Sequence, residues 1–274
     1  MQKRLSSIPA PALAGVIREK TKKAAVAQAK NCLYAGADMM DLHLSCLDCT
    51  EAEYLAPIIR ASEVPVLALN YNLTYENEKL GLTEEERVAS MLRAIEAGAA
   101  GMDLQGYTFH APSKEGFCGE DTYSFTKGNP KEVVTDEGII SKQCEVIERV
   151  HHMGAEVLLS CHPGIPMTTQ QVVDLALFLE KRNPDIIKIV TKALCEEDGE
   201  EAIRTMLALK KEVKTPVSYH ASGKHGKRTR ILNPLLGGQI AFCVERYDEG
   251  STMEQIPLAT MRAICDNYKR VIRR

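Results

Sequence analysis

The sequence has no excess of either charge. Its 34 Lys and Arg against 37 Asp and Glu over 274 residues leave a formal net charge of -3. A phosphate backbone finds no basic surplus here, so nucleic acid is not expected as a partner. The sequence also lacks a long apolar run. Stretches such as Val172 to Leu179 fall far short of the roughly 20 residues that a membrane span needs. No apolar core follows the polar, basic Met1 to Ser7, so a signal peptide is not expected either. A disulfide framework is missing too. The nine cysteines, at 32, 46, 49, 118, 144, 161, 195, 243 and 265, are scattered and odd in number, as in a cytosolic enzyme with reduced thiols. Cys46-Leu-Asp-Cys49 has neither a second pair to complete a zinc site nor a thioredoxin-like context, and reads as loop thiols. The expectation is a cytoplasmic enzyme.

What is present is an alternation. Apolar strand-like segments at Pro11 to Ile17, Met39 to Leu44, Val64 to Asn70, Met102 to Gln105, Val157 to Ser160, Asp185 to Thr191, Thr215 to His220 and Gln239 to Val244 are separated by amphipathic, helix-period stretches. Thr83-Glu-Glu-Glu86 opens one of these with a capping box. Eight strands alternating with helices in 274 residues, with no linker to divide them, predict an α/β fold, a (β/α)8 TIM barrel spanning 1-274 as one domain. The pattern breaks from Tyr107 to Thr135, where Gly, Pro, Ser, Lys and aromatics follow no period. A segment of this length after the fourth strand lies on the active-site face and reads as a lid or substrate loop.

The sixth strand carries a cation in its middle. Asp185-Ile-Ile-Lys188-Ile-Val190 is apolar on both parities, as in a parallel strand covered on both faces. Lys188 is therefore expected inside the barrel. Burial there disfavours the ammonium and favours a free amine able to attack a carbonyl. His162 lies just past the end of the preceding strand, where parallel α/β folds place their chemistry, and is suited to shuttle protons. On the second strand Asp41 and His43 share one parity and read as site lining. Lys192 shares the parity of Lys188, and either lowers its pKa or reaches the surface. His151 and His152 end a helix on the opposite face, while His110 and His225 lie in loops near the mouth.

These motifs resemble the type I 3-dehydroquinate dehydratase family. Ser160-Cys-His162 with Pro166-Met-Thr168 is similar to its Ser-x-His with a downstream Thr-Pro, and Pro184-Asp-Ile-Ile-Lys188-Ile to its lysine strand. The resemblance runs from about Pro11 to the end. It implies a Schiff-base hydro-lyase converting 3-dehydroquinate, or a related hydroxy-ketone, by dehydration. Lys188 would be the Schiff-base lysine, His162 the general acid and base, and Glu76 the carboxylate that orients it. Ser251 and Gln255, in Ser251-Thr-Met-Glu-Gln255-Ile, match the loop before the last helix and would bind substrate. The substrate shell departs from the family: its Glu-Leu-Arg is Asp41-Leu42-His43 here, its next arginine is Asn72, and Lys227, Arg228 or Arg230 supplies the carboxylate cation, with Lys227 the first choice. The family's N-terminal hairpin is not matched. The partner implied is a small hydroxylated keto-carboxylate, with no metal and no cofactor, acting on a homodimer. Two other readings remain open at this stage. One is an aldolase or lyase of another kind, in its metal-dependent form with His43, His162, His220 and Asp41 around the mouth. The other is a catalytically silent, ligand-binding relative.

Overall fold

The computed structural model describes residues 4–71, 82–109, 134–248, 251 and 254–272. The chain alternates as expected. In order come β1 (Ala12–Ile17), α1 (Lys22–Tyr34), β2 (Met39–His43), α2 (Ala52–Ser62), β3 (Val66–Leu69), α3 (Glu84–Glu96), β4 (Gly101–Gln105) and α4 (Glu137–His152). There follow β5 (Glu156–Cys161), α5 (Thr169–Glu180), β6 (Ile186–Lys192), α6 (Glu196–Glu212), β7 (Val217–Ser222), α7 (Thr229–Leu235), β8 (Ile240–Val244), a two-residue β9 (Ile256–Pro257) and α8 (Leu258–Ile272).

All neighbouring strands are parallel, in the order β7-β6-β5-β4-β3-β2-β1-β8-β9. The sheet curls until β7 meets β8. That seam is narrow, with Gln239 N–H donating to the Val217 carbonyl at 2.8 Å and the Ser218 hydroxyl to the Ile240 carbonyl at 2.7 Å. The ninth strand was not expected. It is a short parallel addition to β8 that guides the chain from the loop around Ser251 into α8.

Both faces of the sheet are covered, so the strands are buried along their length. Helices pack outside, and a small apolar cluster that includes Ala14, Met39, Leu67, Leu158, Ile186 and Phe242 fills the inside. Leu5 plugs the bottom of this interior. It is held by Ser6, whose backbone N–H and hydroxyl both donate to the buried carboxylate of Glu156. No hairpin is needed for this closure.

Helix α2 is the element that sequence periodicity missed, because it carries Pro57 in its interior. A proline there removes one ladder donor, yet the buried Leu55, Ile58 and Ile59 still pin the helix to the core. The capping box on α3 is present, with the Thr83 hydroxyl accepting from Glu86 N–H at 3.2 Å and the Glu86 carboxylate from Thr83 N–H at 2.8 Å. Most of the segment read as a lid, along with His110, lies outside the described residues. None of the eight described cysteines, Cys46 and Cys49 included, forms a disulfide. No helix among the described residues is long and apolar enough to cross a membrane.

At the barrel floor β4 and β5 approach so closely that only glycine fits. A Cβ on Gly101 would lie 2.3 Å from the Glu156 carbonyl oxygen and 2.8 Å from Leu5 Cδ1. Gly101→Ala should destabilise the fold by about 1–3 kcal/mol, read as a lower urea midpoint. An unchanged midpoint would contradict the close packing described.

Candidate active site

Along each strand alternate side chains point into the barrel. Ile186 belongs to the inner apolar cluster, so Lys188, two residues on, stands one layer above it. Register sets Lys188 beside Ser160 of β5 and Ser218 of β7. The same alternation raises Asp41 above Met39, Asp103 above Gly101, His162 above Ser160 and Phe242 above Ile240. The floor is thus apolar, and a polar layer lies above it at the C-terminal ends of the strands.

Lys188 is buried in this layer, 6% exposed, and Asp103 is fully enclosed. The Lys188 ammonium donates to the Tyr71 hydroxyl at 2.7 Å and to Asp103 Oδ2 at 3.3 Å. It also sits 4.4 Å from the centroid of the Phe242 ring. The Tyr71 hydroxyl lies 3.3 Å from Asp103 Oδ2 and 3.4 Å from Nε2 of the buried His162. The Tyr71 and His162 rings meet edge to face, with centroids 5.3 Å apart. Amine, carboxylate, phenol and imidazole therefore converge around one hydroxyl oxygen.

This cluster is braced from α3. Arg87 is buried, with its guanidinium held by Glu84 and donating to the Asn70 carbonyl at 2.7 Å, the Thr108 hydroxyl at 2.8 Å and Oε1 of Gln105. Gln105 Nε2 in turn donates to the Asp103 carbonyl at 2.7 Å and to Asp103 Oδ1 at 3.2 Å. One arginine thus fixes the end of β3, from which Tyr71 projects, and orients the carboxylate beside Lys188. Sequence reasoning missed Asp103, Tyr71 and Arg87. Asp103 follows the same strand-parity signal that found Asp41, whereas Tyr71 and Arg87 carry no local signal.

The matching model of known families is that of type I 3-dehydroquinase, over residues 132–270, which is just over half of the chain. The chain belongs to the type I 3-dehydroquinases. It is 23% identical over 235 residues to a 3-dehydroquinate dehydratase of Desulfotalea psychrophila, covering 85% of this chain and 88% of that one. It is 30% identical over 96 residues to that of Coxiella burnetii, 34% of this chain and 40% of the relative. Among solved structures, the fold is similar to the type I 3-dehydroquinate dehydratase of Clostridium difficile, with a TM-score of 0.76 at 14% identity over 98% of this chain and all of that one. The enzyme of Geobacillus kaustophilus gives 0.74 at 14% identity, over 98% of this chain and 97% of that one.

In this 3-dehydroquinase the outer residues read from the sequence are distributed unevenly. Asp41 is buried and its Oδ2 lies 3.4 Å from His43 Nε2, while its Oδ1 has no hydrogen-bond partner among the described residues. Ser251 and Gln255 come together through Arg18, which follows β1 and donates to the Ser251 hydroxyl and to Gln255 Oε1, each at 3.2 Å. Arg18 was not anticipated, although it lies on the inward parity of β1. Lys227 is exposed, because the turn after β7 carries it outward. Arg230, in the first turn of α7, is the basic residue of this loop that faces inward, and its charge reaches His220 and Tyr71. Burial pushes its guanidinium down to about 10, against the opposing pull of Glu254, so it stays charged at neutral pH. Glu76 and Asn72 lie outside the described residues. Lys192 is buried at the end of β6. His151 contacts Asp185 at 2.8 Å on the opposite face, and His225 contacts Glu196 at 3.1 Å. Among the described residues no three His, Cys, Asp or Glu side chains come close enough to hold a metal, so His43, His162 and His220 do not form a ligand set.

His220 is buried, and its pKa is held well below the ordinary 6.5, first by burial and then by the charges of Arg230, Lys188 and His162. Below about pH 6.5 the unfolded chain takes up a proton here that the folded chain refuses. This site therefore lowers stability as the pH falls through that range. His220→Gln should lose less stability than the native protein between about pH 7 and about pH 5, as read from urea midpoints. Equal losses in the two proteins would rule out this contribution.

Proposed function

We propose that this chain dehydrates 3-dehydroquinate, or a closely related hydroxylated keto-carboxylate, through a Schiff base on Lys188. The observation that carries the reading is the buried Lys188 amine, paired with Asp103 and linked through Tyr71 to His162 at the mouth of the barrel.

The Lys188 nitrogen attacks the substrate ketone, and loss of water from the carbinolamine gives an iminium. Its positive charge withdraws electrons from the adjacent carbon, which makes the neighbouring C–H acidic. His162 takes that proton, leaving an enamine, and then returns it to the hydroxyl on the next carbon, which departs as water. Hydrolysis of the conjugated iminium releases the enone and regenerates Lys188. Asp103 stabilises the cationic nitrogen throughout. Glu76 is assigned to orient His162, following the family resemblance.

Polar atoms around the mouth support a polyhydroxylated acid as substrate. Asp41 Oδ1, Ser160 Oγ and Arg230 Nε are buried and have no hydrogen-bond partner among the described residues. Two of them suit substrate hydroxyls and the third a carboxylate. Arg18, with Ser251 and Gln255, supplies the second cation in place of the family arginines replaced by His43 and Asn72. The role assigned from sequence to Lys227 passes to Arg230, because an exposed ammonium cannot reach the layer of Lys188. Cytoplasmic location and a homodimeric assembly are part of the proposal and rest on the family resemblance.

Borohydride added with 3-dehydroquinate should fix a mass adduct on the peptide containing Lys188, and Lys188→Ala should abolish both the adduct and the growth of enone absorbance. A native protein that gives neither adduct nor absorbance would refute the reading. His162→Asn should lower kcat by about 10²–10⁴-fold. Arg18→Ala should raise KM by roughly ten- to a hundredfold, the equivalent of about 1.5–3 kcal/mol for a charge-assisted bond, with kcat much less affected. A fall in kcat at constant KM would remove Arg18 from substrate binding.

A further inference from the structure

The geometry assigns to the Tyr71 hydroxyl the transfer of protons between Lys188 and His162 while the Schiff base forms and breaks. This inference rests on the Schiff-base reading above and adds a catalytic group to it. Among the described residues the Lys188 nitrogen has two hydrogen-bond partners, Tyr71 at 2.7 Å and Asp103 at 3.3 Å, and His162 is not one of them. The Tyr71 oxygen lies 3.4 Å from His162 Nε2. The phenol is therefore the one described group that touches both members of the catalytic pair. A tyrosine placed only to fill space needs a single partner for its hydroxyl. This hydroxyl meets an amine, a carboxylate and an imidazole, each able to give or take a proton.

Imine formation makes such a route necessary. Lys188 begins as a primary ammonium with three N–H bonds and ends as an iminium with one. Two protons must leave the nitrogen, and both depart in the water made from the ketone oxygen. For the first, Tyr71 accepts a proton from the Lys188 ammonium as its own passes to His162 Nε2. The phenol is unchanged, the amine is free to attack, and the imidazolium then delivers its proton to the carbinolamine oxygen. Nitrogen loses its second proton by the same path, and hydrolysis of the product iminium runs it in reverse. Asp103 Oδ2, 3.3 Å from both the nitrogen and the phenol oxygen, is the anion against which the resting ammonium lies. Removal of the C–H proton is direct work for His162 and does not need Tyr71.

The test uses acetaldehyde and cyanoborohydride, which alkylate Lys188 through an imine whatever the natural substrate is. Reductant is kept in sufficient excess for imine formation to limit the rate, and the Lys188 peptide is followed by mass. Tyr71→Phe, which keeps the ring and its edge contact, should slow alkylation at Lys188 by about a hundredfold while other lysines react at native rates. Difluorotyrosine at position 71 keeps the hydroxyl but makes it more acidic, and should move the pH dependence of Lys188 alkylation to lower pH. A phenylalanine variant that alkylates Lys188 at the native rate, or a fluorinated variant with the native pH profile, would overturn the assignment. Loss of the 3-dehydroquinate reading would leave both measurements intact, so the two failures are distinguishable.

Discussion

The structure at the barrel mouth depends on one buried ion pair. An ammonium at Lys188 and a carboxylate at Asp103 are both withdrawn from water, and neither is tolerable alone. Removing one partner of such a pair costs about 3–5 kcal/mol, because the other is left uncompensated. The pair also has to be held in position, and Arg87 does this from outside the barrel wall. Its bond to Gln105, and Gln105's bond to Asp103, form a chain from a helix cation to the carboxylate beside the reactive amine. The same guanidinium ties down the carbonyl of Asn70, immediately before Tyr71. Pair and phenol are thus set by a single brace.

Around this centre the barrel divides its labour by height. The apolar cluster and the Leu5 plug close the bottom, where β4 and β5 are too close for any side chain at Gly101. The polar layer stands at the strand ends, open toward the loops. This arrangement follows from period-two alternation in strands buried on both faces. It explains how residues far apart in sequence, from Arg18 to Gln255, come to share one site.

The substrate shell shows how a family site can change its charges without losing its geometry. Two positions that carry arginine in the family carry His43 and Asn72 here. Cations instead arrive from β1, as Arg18, and from the first turn of α7, as Arg230. Arginine's planar fork suits either position, since each lies within reach of loop side chains or of the phenol and imidazole layer.

Much of this was legible before any coordinates. Eight apolar segments at regular spacing determine a barrel, because parallel strands covered on both faces must be apolar on both parities. Lys188 stood out as the exception to that rule, and His162 as the polar residue at the next strand's end. Helix α2 was hidden by Pro57, whose cost is offset by burial that only packing reveals. Lys227 and Arg230 are neighbours on a basic loop, and nothing local distinguishes the one that turns inward. The sequence by itself determined the strand count, the buried lysine and its histidine, since these follow from short-range period and hydrophobicity. Only the tertiary structure decided that Asp103 is the counter-ion, that Tyr71 sits between amine and imidazole, and that Arg18 reaches the last loop. Those contacts join residues from 32 to 237 positions apart, and their geometry is set by barrel closure, which no local pattern encodes.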